Sequence, residues 1–164
     1  MTEVAYCTPE WLEASASLYQ SNPQFAKDLE KISTRVCFRV TAEPDWGIDK
    51  DIIFGAFIKK GQLEKLAFFN EQSAKEEADF ILAASPQEWK KILRKENKFV
   101  TDFMLGKIIL EYGSKVGVLS LAPHSTNLVK ALTQVPIKFP DEMSTDELAE
   151  YRSYLLDFRE KLSV

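Results

Sequence analysis

The chain has 164 residues, a length that favours one domain with enough buried surface for a sizeable apolar core. Its 25 acidic and 21 basic side chains give a net charge of −4, which argues against nucleic-acid binding. No apolar run reaches the roughly eighteen residues that span a bilayer, and the first residues lack a basic leader, so the cytoplasm is the predicted location. Cys7 and Cys37 fit no CxxC pattern, and we interpret both as reduced thiols.

The first predicted elements are two helices followed by three antiparallel strands. Thr8 and Asn22 each precede a proline, an arrangement typical of an N-cap followed by the first helical residue. From Ile32 to Val40 the apolar residues alternate with polar ones, which predicts a strand with one buried face. Residues 51–60 and 63–70 then read as a hairpin, because a Gly-Gln connection separates two apolar runs.

The second half of the chain predicts two more strands and several helices. Residues 78–84 form a short strand, and Ser85 with Glu88 then makes a capping box that starts a helix. Residues 107–112 form the fifth strand. In the helical segment that follows, Pro123 predicts a kink or a division into two helices.

The last predicted element is a helix over 144–162, started by a second capping box at Ser144 and Glu147. Its apolar side chains align on one face, so it should pack against another apolar surface. The sequence leaves open whether this helix is a lid, a dimer contact or a fixed part of the core.

The sequence offers little to support catalysis. His124 is the only histidine, no metal-ligand spacing occurs, and no glycine-rich loop could hold a phosphate, so we predict no metal and no cofactor. Ser120 and Ser125 lie near His124, but no nucleophile elbow accompanies them. We therefore predict a non-enzyme with no catalytic residue.

In the middle of the chain, the strand Ala78–Ala84 leads into Ser85, Pro86 and Trp89, and Gly106 and Lys107 open a strand within the segment Phe103–Gly113. These features resemble the sterol carrier protein type 2 family of lipid-binding domains. With the three preceding strands, the resemblance covers about residues 30–140. It implies an α+β fold with a five-stranded, largely antiparallel sheet and helices over one face. Residues 1–164 are then one domain, with helical extensions at 8–31 and 144–162.

The resemblance also implies a function, which is to hold a fatty acid, fatty acyl-CoA, sterol or phospholipid in a tunnel between the sheet and the helices. Large apolar residues on the elements that should face each other are the predicted ligand contacts. These are Phe54, Phe57, Phe68, Trp89, Leu93, Phe99, Phe103, Met104, Val118, Leu121, Leu128 and Leu132. The alternative for each residue is that it fills an ordinary core.

A basic cluster is the predicted contact for a lipid headgroup or for the phosphates of acyl-CoA. It consists of Lys90, Lys91, Arg94 and Lys95, with Lys98 just beyond. The alternative is the solvated polar face of an amphipathic helix.

The predicted partners are a lipid or acyl-CoA ligand and, transiently, a membrane surface or a lipid-metabolising enzyme. One alternative function is a non-catalytic module that presents lipids to such an enzyme. Another is a small enzyme, which would need a buried acid or base with a shifted pKa beside a cavity.

Overall fold

A computed structural model of the protein describes residues 2–164 as a central sheet with helices on both faces. The strands are β1 (Val4–Ala5), β2 (Thr34–Val40), β3 (Ile52–Lys59), β4 (Gln62–Phe69), β5 (Phe80–Ala84), β6 (Ile109–Tyr112) and β7 (Ile137–Lys138). The helices are α1 (Pro9–Ser21), α2 (Pro23–Asp28), α3 (Glu71–Glu77), α4 (Pro86–Leu93), α5 (Phe99–Met104), α6 (Lys115–Leu121), α7 (Ser125–Leu132) and α8 (Thr145–Leu162). None of these helices is long and apolar enough to cross a membrane.

The five-stranded sheet has the order β4-β3-β2-β5-β6. Strands β2, β3 and β4 form the predicted antiparallel meander, β5 lies parallel to β2, and β6 is antiparallel to β5. The predicted α+β fold with a largely antiparallel sheet is therefore confirmed.

Alternation along the strands gives the sheet two buried faces. Val36, Phe54 and Leu82 lie on the inner face, which the main core covers. Cys37 and Ile53 lie on the outer face, where α3 packs against them. The helices thus cover more than the one predicted face, because the outward-facing residues of β3 and β5 are also apolar.

Most predicted helix starts are confirmed by their caps. The side chains of Thr8, Asn22 and Ser144 each accept a hydrogen bond from a backbone N–H of the helix that follows. Ser85 caps α4 in the same way, but the side chain of Glu88 does not return to the Ser85 N–H, so the predicted capping box is only half formed.

The two end segments of the described chain meet beside the inner face. Strand β1 pairs in parallel with β7, and the Tyr151 hydroxyl of α8 donates to the Tyr6 carbonyl oxygen at 2.5 Å. Helix α8 buries Tyr151, Leu155 and Phe158 in the main core. It is therefore a packed part of the core in this structure.

Candidate functional site

A cavity of about 70 Å³ lies between the inner face of the sheet and the helices that follow β5 and β6. Its floor comes from β2, β3 and β5, its roof from α4, α5, α6 and α7, and its end from the residue after β1. The lining residues are Tyr6, Val36, Phe38, Phe54, Phe80, Leu82, Trp89, Ile92, Leu93, Phe99, Val118, Leu121, Ser125, Leu128, Val129 and Leu132.

Trp89 fixes the position of α4 above the floor. Its indole N–H donates to the Arg39 carbonyl oxygen at 3.0 Å, and its ring meets the edge of Phe38, with centroids 5.5 Å apart. Phe38 in turn packs against Phe54 at 5.1 Å. Because the indole N–H is already bonded, these three residues present only apolar surface to the cavity.

Two hydroxyl-bearing residues, Tyr6 and Ser125, interrupt an otherwise apolar lining. The Ser125 hydroxyl donates to the Ala122 carbonyl oxygen at 2.8 Å, so its proton is occupied within its own helical turn. The Tyr6 hydroxyl is fully buried, its polar neighbour is the Cys7 thiol, and burial raises the pKa of Tyr6 well above its ordinary value. Nothing in this lining is charged at neutral pH.

Eight of the twelve residues predicted as ligand contacts line the cavity. They are Phe54, Trp89, Leu93, Phe99, Val118, Leu121, Leu128 and Leu132. The sequence patterns that selected them, apolar stripes of helices and large residues of strands, also describe an ordinary core, so ligand contact at these positions stays a proposal.

The other four predicted contacts lie elsewhere. Phe57 is on the outer face against Phe69, because it lies three positions, an odd number, beyond Phe54 along β3. Phe68 is on the inner face but packs against Phe158 of α8. Phe103 is buried behind Phe99, on which it stacks, and Met104 is 58% exposed at the end of α5.

Other lining residues were not predicted as ligand contacts. Val36 and Phe38 belong to the strand for which alternation predicts one buried face, and the same alternation indicates that they face the helices. Phe80 and Leu82 follow the same rule in β5. Tyr6 had no such signal, because its place depends on the distant pairing of β1 with β7.

The predicted basic cluster divides into two pairs of residues. Lys90 and Arg94 form ion pairs with Asp141 at 2.8 Å and Glu142 at 2.9 Å, and both cations lie over the ring of Phe139. These two residues attach α4 to the segment after β7. Lys91 and Lys95 are exposed, and no carboxylate among residues 2–164 pairs with either.

Two buried carboxyl groups connect α4 to α5. Glu88 is 8% exposed and Asp102 is 3% exposed, and the Asn97 amide donates to Asp102 at 2.8 Å. Burial and the neighbouring Asp102 carboxyl raise the pKa of Glu88 to about 7, whereas the hydrogen bond from Glu88 lowers the pKa of Asp102. Below about pH 7 the Glu88 carboxyl therefore holds a proton, which it can share with the neighbouring Asp102 carboxylate.

Neither acid lines the cavity. Both lie behind its wall, where Lys91 and Lys107 lower the pKa of each group. A shifted acid is thus present in this protein, but it does not face the space that a substrate would occupy.

The cavity is too small for a lipid chain in this state. A cavity of about 150 Å³ is the size that admits benzene, and the space here is about 70 Å³. Binding of an acyl chain or a sterol would therefore require the helical roof to move away from the sheet.

Comparison with solved structures finds the same fold in sterol carrier proteins. A conserved protein of Thermus thermophilus, described as a candidate sterol carrier protein, matches with a TM-score of 0.68 and 19% identity, over 84% of this chain and 94% of that one. A crystal structure of sterol carrier protein 2 matches with a TM-score of 0.66 and 19% identity, over 78% and 97% of the two chains. The apo form of sterol carrier protein 2 from Yarrowia lipolytica matches with a TM-score of 0.55 and 17% identity, over 76% and 88%.

No family model and no curated protein matches the sequence. At these identities the structural matches establish the fold. The predicted resemblance to the sterol carrier fold is confirmed, and the matches cover more of the chain than residues 30–140.

Proposed function

We propose that this protein, which has the fold of sterol carrier protein 2, is a carrier that binds one hydrophobic ligand between its sheet and its helical roof. The observation that carries the proposal is the lining of the cavity, which is apolar apart from the hydroxyls of Tyr6 and Ser125 and contains no charged group. Such a space favours a lipid, because burial of each methylene group contributes roughly 0.8 kcal/mol.

The ligand classes that we propose are fatty acid, fatty acyl-CoA, sterol and phospholipid. A chain of about sixteen carbons could gain at most about 12 kcal/mol from burial, before the costs of ordering the ligand and moving the roof are subtracted. The apolar lining supports this class and does not distinguish its members. For ligands with an anionic end, Lys91 and Lys95 are the proposed contacts, because both are exposed and neither pairs with a carboxylate of residues 2–164.

We also propose that the protein acts without catalysis. Glu88 and Asp102 are the groups with the acid character that an enzyme would need, and they lie outside the cavity lining. The hydroxyls of Tyr6 and Ser125 lie beside no general base in the lining. A cytoplasmic location stays a prediction from the sequence.

The test is native mass spectrometry of the purified protein, with extraction and identification of the bound molecule, followed by titration with a fluorescent fatty acid. The variant Leu128→Trp adds bulk at a partly buried lining position, and Leu156→Trp adds the same bulk at an exposed position of α8. We expect Leu128→Trp to weaken binding by about tenfold or more and Leu156→Trp to leave it unchanged.

The possible results separate the carrier from its alternative. A co-purified lipid in one-to-one ratio, lost in Leu128→Trp, would support the carrier and identify the ligand class. A protein that is empty and ignores acyl chains and sterols would refute it. In that case the module that presents lipids to a lipid-metabolising enzyme becomes the better account, and a stable complex with such an enzyme would be its signature.

A further inference from the structure

The turn that follows α5 presents large apolar side chains to solvent. Met104 is 58% exposed and Leu105 is 65% exposed, and together with Gly106 and Lys107 they form what we call the 104–107 turn. A Cβ atom added to Gly106 would meet no other atom within 4 Å. The turn therefore projects from the body of the protein.

The base of this turn is firmly held. The Asp102 carbonyl oxygen accepts hydrogen bonds from the N–H groups of Lys107 at 2.9 Å and Ile108 at 3.4 Å, and the buried Asp102 side chain accepts one from Asn97. Phe103 is buried and stacks on Phe99, with ring centroids 5.9 Å apart. The fold thus holds Met104 and Leu105 outward on an ordered turn, although neither contributes to the core.

The surroundings of the turn are basic on a protein whose net charge is −4. Lys95, Lys98 and Lys107 are exposed, and none of them forms an ion pair with a carboxylate of residues 2–164. Of the two acids between Lys95 and Lys107, Asp102 is buried and Glu96 alone reaches solvent. The exposed Leu156 of α8 differs in this respect, because the residue that follows it directly is an acid, Asp157.

We propose that the 104–107 turn docks on an anionic lipid surface. Met104 and Leu105 enter the boundary between headgroups and acyl chains, while Lys95, Lys98 and Lys107 contact the negatively charged headgroups. Apolar side chains flanked by lysines are the combination that binds such surfaces, because burial and electrostatic attraction add. A neutral or basic partner surface would not match this charge.

Docking at this turn would bring the membrane next to the cavity wall. Phe103 connects the turn to Phe99, and Phe99 lines the cavity. The purpose of the docking rests on the proposed carrier function, but the docking itself is measured without any ligand.

The experiment is co-sedimentation of the full chain with phosphatidylcholine vesicles that contain either no anionic lipid or about 30% phosphatidylserine. The test variant is Met104→Ser with Leu105→Ser. The matched control is Leu156→Ser with Leu162→Ser, since these leucines of α8 are exposed to 52% and 53%. A third protein, Lys98→Glu with Lys107→Glu, tests the charge.

We expect the wild type and the α8 control to bind the anionic vesicles equally well. With the neutral vesicles, both proteins should remain in the supernatant. The test variant and the charge variant should bind about tenfold less, and salt raised from about 0.1 M to about 0.5 M should release the wild type. Equal binding by the test variant and the wild type would overturn the proposal. So would a wild type that ignores anionic vesicles, including one that binds a protein partner through this turn instead.

The same four proteins, titrated with a fluorescent fatty acid in the absence of vesicles, separate this proposal from the carrier function. Failure of docking with intact ligand binding refutes the docking surface alone. Failure of ligand binding with intact docking refutes the carrier alone.

Discussion

The substitution Glu88→Gln tests the shared proton between α4 and α5. Glutamine has nearly the same shape as glutamic acid, and its amide can donate to the Asp102 carboxylate at every pH. In the wild type the donor is the protonated carboxyl group of Glu88, which loses its proton as pH rises through about 7. Loss of this proton leaves two buried negative charges next to each other.

The sign and size of the effect follow from linkage. Because the folded pKa of Glu88 lies above its ordinary value of 4.5, the folded state binds the proton more tightly than the unfolded state. The stabilisation is fully present below about pH 4.5 and disappears as pH passes about 7. At about 1.36 kcal/mol per pKa unit the upper limit is about 3 kcal/mol. We expect about 1 to 2 kcal/mol, because the pair lies close enough to the surface for solvent to screen its charges in part.

The assay is urea unfolding followed by tryptophan fluorescence at several values between about pH 5 and about pH 8.5. The wild type should lose about 1 to 2 kcal/mol of unfolding free energy over this range through Glu88, and Glu88→Gln should not show this loss. The control Glu150→Gln, at an exposed position of α8, should follow the wild type. Parallel pH profiles for Glu88→Gln and the wild type would show that no proton is shared.

Three further predictions concern stability. Leu155→Ala should lower the unfolding free energy by about 2 to 5 kcal/mol, because Leu155 is 2% exposed. The control Leu156→Ala, at the exposed neighbouring position, should change it by less than about 0.5 kcal/mol. Similar values for the two variants would contradict the packing of α8. Ser144→Ala removes the N-cap of α8 and should cost about 1 kcal/mol in urea unfolding, and an unchanged midpoint would count against the cap. Gly61→Ala should cost at least about 2 kcal/mol in thermal unfolding, since φ is +79° and the new Cβ would lie 2.2 Å from the Ala26 carbonyl oxygen; a normal melting temperature would refute this.

The elements that were predicted correctly are determined by residues that lie close together in the sequence. Caps at Thr8, Asn22 and Ser144 act within a few residues, and alternation along β2 is a property of consecutive side chains. The division of the helical segment at Pro123 is equally local, because proline cannot donate its part of the helical hydrogen bonds.

The candidate site was harder to predict, because its composition depends on distant parts of the chain. Phe57 was chosen for its size, although its spacing from Phe54 already placed it on the other face. Phe68 lies on the correct face but under α8, and no local pattern shows where along a sheet a helix will pack. Glu88 fits the capping-box pattern in the sequence. In the structure the Glu88 side chain lies beside the buried Asp102 carboxyl and does not bond to the Ser85 N–H.

The roof over the cavity is made of short helices, so ligand binding should affect the conformational order of the roof more than that of the sheet. Helices α4, α5, α6 and α7 have eight, six, seven and eight residues, and helices this short are unstable without tertiary packing. When the cavity is empty, the side chains above it lose part of that packing, whereas the strands below keep their hydrogen bonds to one another. A ligand would then slow amide hydrogen exchange in the roof far more than in the sheet. The sheet would act as a fixed template, and the roof as the part whose order changes with each loading and release.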